Sequence, residues 1–388
     1  MNTTKSYIAK SVDKIPPSGI RKFFDLAANM EGVVSLGVGE PDFVTSWSVR
    51  ESAISSLERG YTSYTANAGL IELRRAIADY MRERFQAEYD PEQEIIVTSG
   101  GSEALDIALR TIIDPGDEIA VVEPCFVSYG PLVQLAGGNV VSIGTLAQND
   151  FKLQPEELER AITPKTKALL ICSPNNPTGT QLAREDLIAI CDIVKKYDLL
   201  VIADEIYAEL AYDIPHTSFA SLEGMKERTI LINGFSKGFA MTGWRLGFTC
   251  APKEISKAML KVHQYTMMCA STPAQYAAIE ALQNGMEYVE EMKNDYRRRR
   301  NFFVESLNEL GLECHMPGGA FYAFPSIKGT GLSSEQFAEQ LLLSEKVAVV
   351  PGHVFGKGGE GYIRCSYASS IEQLQEAIKR MKRFLASL

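Results

Sequence analysis

The chain has 388 residues, 45% of them apolar, and a formal net charge of −10 at neutral pH. This length predicts two domains, or one large domain with an appendage, and the apolar fraction is ample for a core. The acidic balance argues against nucleic acid and anionic membranes as partners.

The N-terminal segment and the distribution of cysteine and histidine predict a cytoplasmic protein without a metal. The opening residues, MNTTKSYIAK, lack the apolar stretch of a secretion signal, and no window approaches the roughly 18 apolar residues of a membrane span. The seven cysteines form no C-x-x-C pair and lie mostly in apolar runs, so we expect reduced thiols. The four histidines are scattered without metal-ligand spacing.

The first strongly patterned elements in chain order are a helix and a series of strands. Apolar residues at helical spacing, among them Leu73, Ile77 and Met81, predict a helix over Leu70–Ala87. Short apolar runs bounded by turn residues follow, with helical segments such as Glu185–Tyr197 between several of them: EIIVTSG, EIAVVEP, VVSIGT, ALLICSP, LLVIADE, TILINGF and RLGFTCAP. Continuous apolar strands that alternate with helices predict an α/β fold, with a mainly parallel seven-stranded sheet and helices on both faces.

The pattern changes near residue 285. One long charged helix is predicted after the break at Asn284-Gly285, and a closing helix over Ile371–Leu385. Between them lie the short segments GGAFYAF, VAVVPG and GYIRCSY, which indicate a smaller α+β domain. The run Arg297–Arg300 follows acidic residues on the same predicted helix, which favours a solvated helix face over a nucleic-acid patch. From the change of pattern near residue 285, we assign 45–284 to a large domain, and 1–44 with 285–388 to a small domain.

The loops after the strands are the candidate functional segments, because ligands bind such sheets beyond the carboxyl ends of the strands. In EIIVTSGGSEAL a strand runs into Gly100-Gly101-Ser102, where small residues at a helix start can let backbone N–H groups reach an anion. Simple capping by Ser102 explains the same residues. In VVEPCFVSYGP, Phe126 can cover a planar ligand or pack in the core. In LLICSPNNPTG, Asn176 offers a side-chain donor or marks a turn.

The segment LLVIADEIYAEL ends an apolar run with Asp204. A carboxylate at the end of a buried strand is costly unless a cation pairs with it. Helix capping could also explain Asp204, but it does not explain why Tyr207 should accompany it.

The segment FSKGFAMTGWR places Lys237 and Arg245 among apolar residues and glycines. A lysine in partly apolar surroundings has a lowered pKa, as an imine-forming amine requires, and arginine is a planar clamp for phosphate. The ordered set of strand-end residues fits pyridoxal 5′-phosphate. That cofactor needs a lysine for its aldehyde, an acid opposite its ring nitrogen, an anion site for its phosphate and donors for its phenolate oxygen.

With these motifs the chain resembles the class I pyridoxal-phosphate-dependent aminotransferases of fold type I, especially the bacterial branch of aspartate and aromatic aminotransferases. The resemblance covers nearly the whole chain, and the S-K-x-x-x-M-x-G-x-R signature from Ser236 to Arg245 is highly specific. The motifs occur in family order: GVGEPDF, YTANAGLIELR, SGGSEAL, SPNNPTG, ADEIY, SKGFAMTGWR and GYIRCSY.

The resemblance implies a role for each matched residue. Lys237 would join the cofactor aldehyde, Asp204 would face the ring nitrogen, and Tyr207 would donate to the phenolate oxygen, which makes these three the catalytic residues. The cofactor contacts implied are Gly101, Ser102, Glu103, Phe126, Asn176, Asp204, Tyr207, Ser236, Lys237, Arg245 and, reaching the neighbouring subunit, Tyr64. The substrate contacts implied are Gly39, Asn176 and Arg364, the last of which would grip the α-carboxylate. Residues 45–284 then form the cofactor-binding domain.

The expected activity is transfer of the amino group of an L-amino acid, aspartate or an aromatic one, to an oxo acid such as 2-oxoglutarate. The resemblance implies a ping-pong cycle and a homodimer with shared active sites. A carbon–sulfur lyase on the same scaffold remains an alternative, because it needs the same Lys237 and Asp204. A ligand-sensing regulator is disfavoured, since the thirty-odd residues before the first motif leave no room for a DNA-binding module. Arg21 is a candidate for the cation that would bind a distal carboxylate of the substrate. It could also be a surface arginine.

Overall fold

A computed structural model describes residues 7–17, 19 and 30–388. The strands in these residues are β1 Val34–Ser35, β2 Ile95–Thr98, β3 Glu118–Glu123, β4 Asn139–Gly144, β5 Thr166–Cys172, β6 Leu200–Asp204, β7 Thr229–Gly234, β8 Gly247–Cys250, β9 Tyr322–Ala323, β10 Val347–Ala348, β11 Val350–Pro351 and β12 Ile363–Ser366. The helices are α1 Lys10–Asp13, α2 Trp47–Glu58, α3 Ile71–Phe85, α4 Gly101–Ile112, α5 Tyr129–Leu135, α6 Pro155–Ala161, α7 Arg184–Lys196, α8 Lys253–Thr266, α9 Thr272–Asn284, α10 Met286–Glu309, α11 Ser334–Glu345 and α12 Ile371–Ala386.

The main sheet has seven strands in the order β2-β8-β7-β6-β5-β3-β4. Strands β3 to β7 pair in parallel, whereas β8 is antiparallel to both of its neighbours. The residues of β7 are all buried, as are those of β5 and β6 apart from one partly buried position in each, because helices cover the two faces. The predicted α/β fold with a mainly parallel seven-stranded sheet is confirmed.

Topology sets the position of the functional segments. Strands β3, β5, β6 and β7 run in the same direction, and so does β2, because both β2 and β7 are antiparallel to β8. The loops that follow these five strands therefore meet at one edge of the sheet, which is where ligands bind in sheets of this type.

The remaining strands form two small sheets. Strand β1, close to the N-terminus, pairs in parallel with β10, and β11, β12 and β9 form an antiparallel sheet. The closing helix α12 buries Leu374, Ala377, Met381 and Phe384, whose spacing of three and four residues forms one apolar stripe. Strands far apart in the chain thus bring Arg364, on β12, towards the segment that follows β1.

The predicted solvated face at Arg297–Arg300 is wrong for its last residue. The Arg300 side chain is only 3% exposed and donates to both carboxylate oxygens of Asp213, at 2.5 and 3.1 Å, and to the carbonyl of Pro317. Arg299 donates to Asp42 at 2.7 Å. Both arginines tie helix α10 to other parts of the chain, because the helix packs this face inward, which local charge patterning does not reveal.

The cysteines and helices add two further observations. All seven cysteines are free, and six of them are buried. Among the residues that the structure describes, no helix has the length and apolarity needed to cross a membrane.

Candidate active site

A cavity of about 320 Å³ opens at the carboxyl edge of the main sheet. Most of the residues that the sequence predicts as site residues line it: Gly39, Gly101, Ser102, Phe126, Asn176, Asp204, Tyr207, Ser236, Lys237, Arg245 and Arg364. Two predicted residues, Glu103 and Tyr64, do not line it. The lining also includes Tyr129 and Tyr322, which sequence reasoning missed.

Lys237 follows β7 on a tight loop whose apolar residues are anchored in the core. Phe235 and Met241 are fully buried, and the N–H of Met241 donates to the carbonyl of Phe235 at 3.2 Å, so the loop between them projects its lysine into the cavity. The amine donates to the carbonyl of Gly39 at 2.5 Å. Burial, assisted by the positive charge of Arg364, lowers the pKa of Lys237 to about 8. The amine can therefore lose its proton close to neutral pH.

Asp204 is the last residue of β6 and is buried. One carboxylate oxygen accepts the hydroxyl of Tyr129 at 2.6 Å, and the other accepts the N–H of Ile206 at 3.2 Å. Burial raises the pKa of Asp204 to about 6, although both hydrogen bonds oppose that shift. The bond to Ile206 resembles a turn cap, but it accounts for one oxygen only. The other oxygen faces Tyr129 and the cavity, where a cationic partner would favour the ionised carboxylate.

The start of helix α4 and the end of the lysine loop form an anion-binding corner. The N-cap residue is Gly100, with φ of 83°, and the helix begins at Gly101, so the alternative that Ser102 is the N-cap is wrong. A Cβ on Gly247 would lie 2.7 Å from the carbonyl carbon of Gly100 and 2.8 Å from the nitrogen of Gly101, so glycine is required where β8 passes the helix start. A Cβ on Gly100 would lie 2.8 Å from the guanidinium of Arg245. Free N–H groups and a guanidinium thus converge on one corner.

Arg364, on β12, also lines the cavity and is only 3% exposed. Its guanidinium donates to the side-chain oxygen of Asn176 at 2.9 Å and to the carbonyl of Gly37 at 2.7 Å. It also lies over the rings of Tyr322, at 4.4 Å, and Phe355, at 5.0 Å. The Nε atom is buried and has no hydrogen-bond partner among the described residues. A fixed, buried guanidinium with unused donors is suited to a planar carboxylate.

Two tyrosines that line the cavity contact each other. The hydroxyls of Tyr207 and Tyr322 lie 2.9 Å apart, and both side chains are buried. Phe126, which is half-buried, lies edge-on to Tyr129 at 5.8 Å between ring centroids. Neither Tyr129 nor Tyr322 carries a distinctive local signal. Tyr129 is three residues after Phe126 at the start of a short helix, and Tyr322 is on a two-residue strand.

The two predicted residues outside the cavity have different settings. Glu103 supports the anion-binding corner from behind, since one carboxylate oxygen accepts the N–H of Ser99 at 2.5 Å and the other lies 2.5 Å from Nδ1 of His263. The side chain of Tyr64 is 81% exposed. Arg21 lies outside the described residues.

Comparison with known proteins gives consistent matches over almost the whole chain. The family model described as "Aminotransferase class I and II" matches residues 31–381. The Bacillus subtilis protein YugH is 66% identical over 98% of both chains, and the aspartate aminotransferase of Pyrococcus abyssi is 49% identical over 96% of this chain and 97% of its own. The aspartate aminotransferase from Thermus thermophilus with maleate has a solved structure that superposes with a TM-score of 0.93. It is 40% identical over 98% of this chain and 100% of its own.

Proposed function

The chain belongs to the class I and II aminotransferases, and from that premise we propose that it is a pyridoxal 5′-phosphate enzyme of amino acid metabolism. It transfers the amino group of an L-amino acid, aspartate or an aromatic one, to an oxo acid such as 2-oxoglutarate in a ping-pong cycle. The observation that carries this proposal is the convergence of four side chains on one cavity: Lys237, Asp204, Arg245 and Arg364.

The cavity fits the cofactor group by group. The corner formed by Gly100, Gly101 and Arg245 would hold the phosphate, with Ser102 and Ser236 beside it, since glycines let the backbone approach and the helix start favours an anion. Asp204 would face the ring nitrogen, because a buried carboxylate gains most from a cationic partner. The remaining ring contacts that we propose are Phe126 on the face, and Asn176 and Tyr207 at the phenolate oxygen.

Pyridoxal phosphate supplies, when bound, an aldehyde that combines with amines and a protonated ring that accepts electron density from the substrate α-carbon. Lys237 is the group that we assign to remove the proton from that α-carbon, because its side chain lines the cavity and its pKa is lowered to about 8. At pH 7 about one such amine in ten is neutral, against about one in three thousand for an ordinary lysine.

Arg364 would orient the substrate. Its contacts with Asn176, Gly37 and the ring of Tyr322 fix the plane of the guanidinium, so the α-carboxylate meets a preformed fork instead of a mobile side chain. This contact recognises any α-amino acid and does not select a side chain.

Further proposals concern assembly and location. We propose a homodimer in which Tyr64 reaches the phosphate of the partner's site. The proposal is supported by the 81% exposure of Tyr64, which leaves it accessible to a second subunit. The division into a large domain, 45–284, and a small one, 1–44 with 285–388, is supported by the sheets, since the seven-stranded one lies wholly within 95–250. Parts of the first segment lie outside the described residues. The buried free thiols support a cytoplasmic location.

The test is cofactor mapping followed by a donor panel. The purified protein should show the near-ultraviolet or visible band of a lysine-bound cofactor, and borohydride should fix the cofactor to Lys237, as peptide mapping would reveal. An adduct on another lysine would overturn the assignment. Aspartate, tyrosine and phenylalanine with 2-oxoglutarate should then give glutamate, whereas release of pyruvate and ammonia from cystathionine without glutamate formation would identify a lyase instead.

A further inference from the structure

A fully buried histidine lies behind the anion-binding corner, outside the cavity. His263 is in the last turn of helix α8 and is 0% exposed. Its Nδ1 lies 2.5 Å from a carboxylate oxygen of Glu103, and its Nε2 lies 2.9 Å from the backbone carbonyl of Asn67. A carbonyl oxygen can only accept a hydrogen bond, so Nε2 carries a proton and donates a hydrogen bond to the carbonyl of Asn67. Both ring nitrogens are therefore committed to oxygen atoms on two different segments.

The first of these segments is the turn that forms the anion-binding corner. The other carboxylate oxygen of Glu103 accepts the N–H of Ser99 at 2.5 Å, directly before Gly100 and Gly101. His263 thus holds the carboxylate that shapes the turn. Without His263, this carboxylate, whose side chain is only 10% exposed, would lose one of its two described partners close to the site that we propose for a phosphate.

The second segment is the one that carries Tyr64. Asn67 is fixed on both sides, because its carbonyl accepts from His263 and its side-chain amide donates to the carbonyl of Met268 at 2.7 Å. Gln275, also fully buried, donates to the hydroxyl of Thr65 at 3.1 Å and accepts from the N–H of Leu70 at 2.8 Å. The backbone around Tyr64 is therefore tied to the interior, although the tyrosine itself is exposed.

We propose that His263 is a positioning residue that links the phosphate-binding turn of its own active site to the segment whose Tyr64 serves the partner's site. The inference rests on the proposed cofactor and homodimer. One imidazole ring then sets the geometry of a contact in each of two active sites, and each contact depends on a different ring nitrogen.

Two substitutions separate the two contacts. The side-chain nitrogen of asparagine can occupy the position of Nδ1, so His263→Asn keeps a hydrogen-bonding nitrogen beside Glu103 and loses the contact with Asn67. The side-chain nitrogen of glutamine can occupy the position of Nε2, so His263→Gln keeps the contact with Asn67 and loses the one with Glu103. His263→Asn should weaken the partner's site, and His263→Gln should weaken its own.

Mixed dimers with Lys237→Ala chains show which site is affected, because only sites that keep Lys237 give the absorbance of a lysine-bound cofactor. In the first mixture the His263 variant is on the chain that keeps Lys237. In the second it is on the Lys237→Ala chain. Titration with pyridoxal phosphate should show weaker binding for His263→Gln in the first mixture only, by about ten- to a hundredfold for a lost charge-assisted bond. For His263→Asn the loss should occur in the second mixture only, by about two- to tenfold for a lost bond to a backbone carbonyl.

The control is His315→Asn, which makes the same substitution at a histidine outside the cavity. If the two His263 variants bind cofactor as this control does, or each weakens both mixtures equally, the inference is wrong. The proposed function is tested separately. Absence of cofactor binding in the wild-type protein would overturn it, and a Tyr64→Phe loss confined to the variant's own site would overturn the shared-site geometry together with this inference. If the wild-type protein binds the cofactor and Tyr64→Phe weakens binding at the partner's site, but the His263 variants have no effect, this inference alone is overturned.

Discussion

Replacement of Arg364 by lysine tests the assignment of the substrate carboxylate site. The substitution keeps the positive charge in a buried position but removes the planar, forked donor. We expect it to weaken every amino acid and oxo acid substrate to a similar extent. Cofactor affinity should stay nearly unchanged, because other residues form the proposed phosphate corner and the proposed partner of the ring nitrogen, and a lysine can still donate to Asn176.

The magnitude follows from the donors that remain. An arginine has five N–H donors, and bonds to Asn176 and Gly37 use two of them, which leaves three, including the unpartnered Nε. A lysine has three donors, so if it keeps both bonds only one is left for the substrate. The variant therefore cannot form a bidentate contact. Loss of one charge-assisted hydrogen bond costs about 1.5–3 kcal/mol, which corresponds to about a ten- to 150-fold fall in kcat/KM.

The assay is steady-state kinetics with dicarboxylic, aromatic and small aliphatic substrates, alongside a cofactor titration. Arg300→Lys is the matched control, since Arg300 is equally buried but bonds Asp213 outside the cavity. Any destabilisation shared by the two variants is then a consequence of replacing a buried arginine. A loss confined to dicarboxylic substrates would refute the reasoning and place Arg364 at the distal end of the substrate.

Three further predictions concern the cofactor end of the cavity. The Asp204→Ala variant should bind pyridoxal phosphate more weakly, and its α-proton removal should be slower by several orders of magnitude in stopped-flow experiments. Both effects should be smaller for Asp204→Glu. Near-normal activity of Asp204→Ala would mean that Asp204 is only a turn residue. Tyr129→Phe should raise the pKa of Asp204 above its value of about 6 in the cofactor-free protein, because the lost hydrogen bond stabilised the ionised carboxylate. Carbon-13 NMR titration measures this pKa, and an unchanged value would show that the reasoning is wrong. The rate at which Lys237 joins pyridoxal phosphate should rise with pH and level off above about 8, since the neutral amine is the reactive form; a profile that still rises towards an ordinary lysine pKa would contradict the effect of burial.

Much of the fold and of the cavity could be predicted because the information is local. Each parallel strand is a continuous apolar run that ends in turn residues, and a side chain that lines the cavity follows or ends it, as Asp204 does at the end of β6. The loop from Phe235 to Met241 is similarly explicit, since buried residues at both ends leave Lys237 between them. Boundaries were predicted within a few residues, with helix α3 at Ile71–Phe85 inside the predicted Leu70–Ala87.

What could not be predicted depends on contacts between distant segments. Tyr129 differs from other buried tyrosines only because its hydroxyl lies 2.6 Å from a carboxylate 75 positions further along the chain. Tyr322 becomes a site residue because β9 pairs with the strand that carries Arg364. Arg300 is buried because Asp213 lies opposite the helix, and nothing in the run of four arginines distinguishes it from its neighbours.

The charges that line the cavity explain why so apolar a loop carries both a lysine and an arginine. Among the described residues that line the cavity, there are three cations, Lys237, Arg245 and Arg364, and two carboxylates, Asp204 and Glu40. Burial shifts the pKa of Lys237 down and that of Asp204 up, so each group is held closer to its neutral form than it would be in water. A phosphate at Arg245 and an α-carboxylate at Arg364 would offset the excess positive charge. Lys237 donates to the carbonyl of Gly39 and forms no ion pair with any described residue, which leaves its amine free to lose and regain a proton.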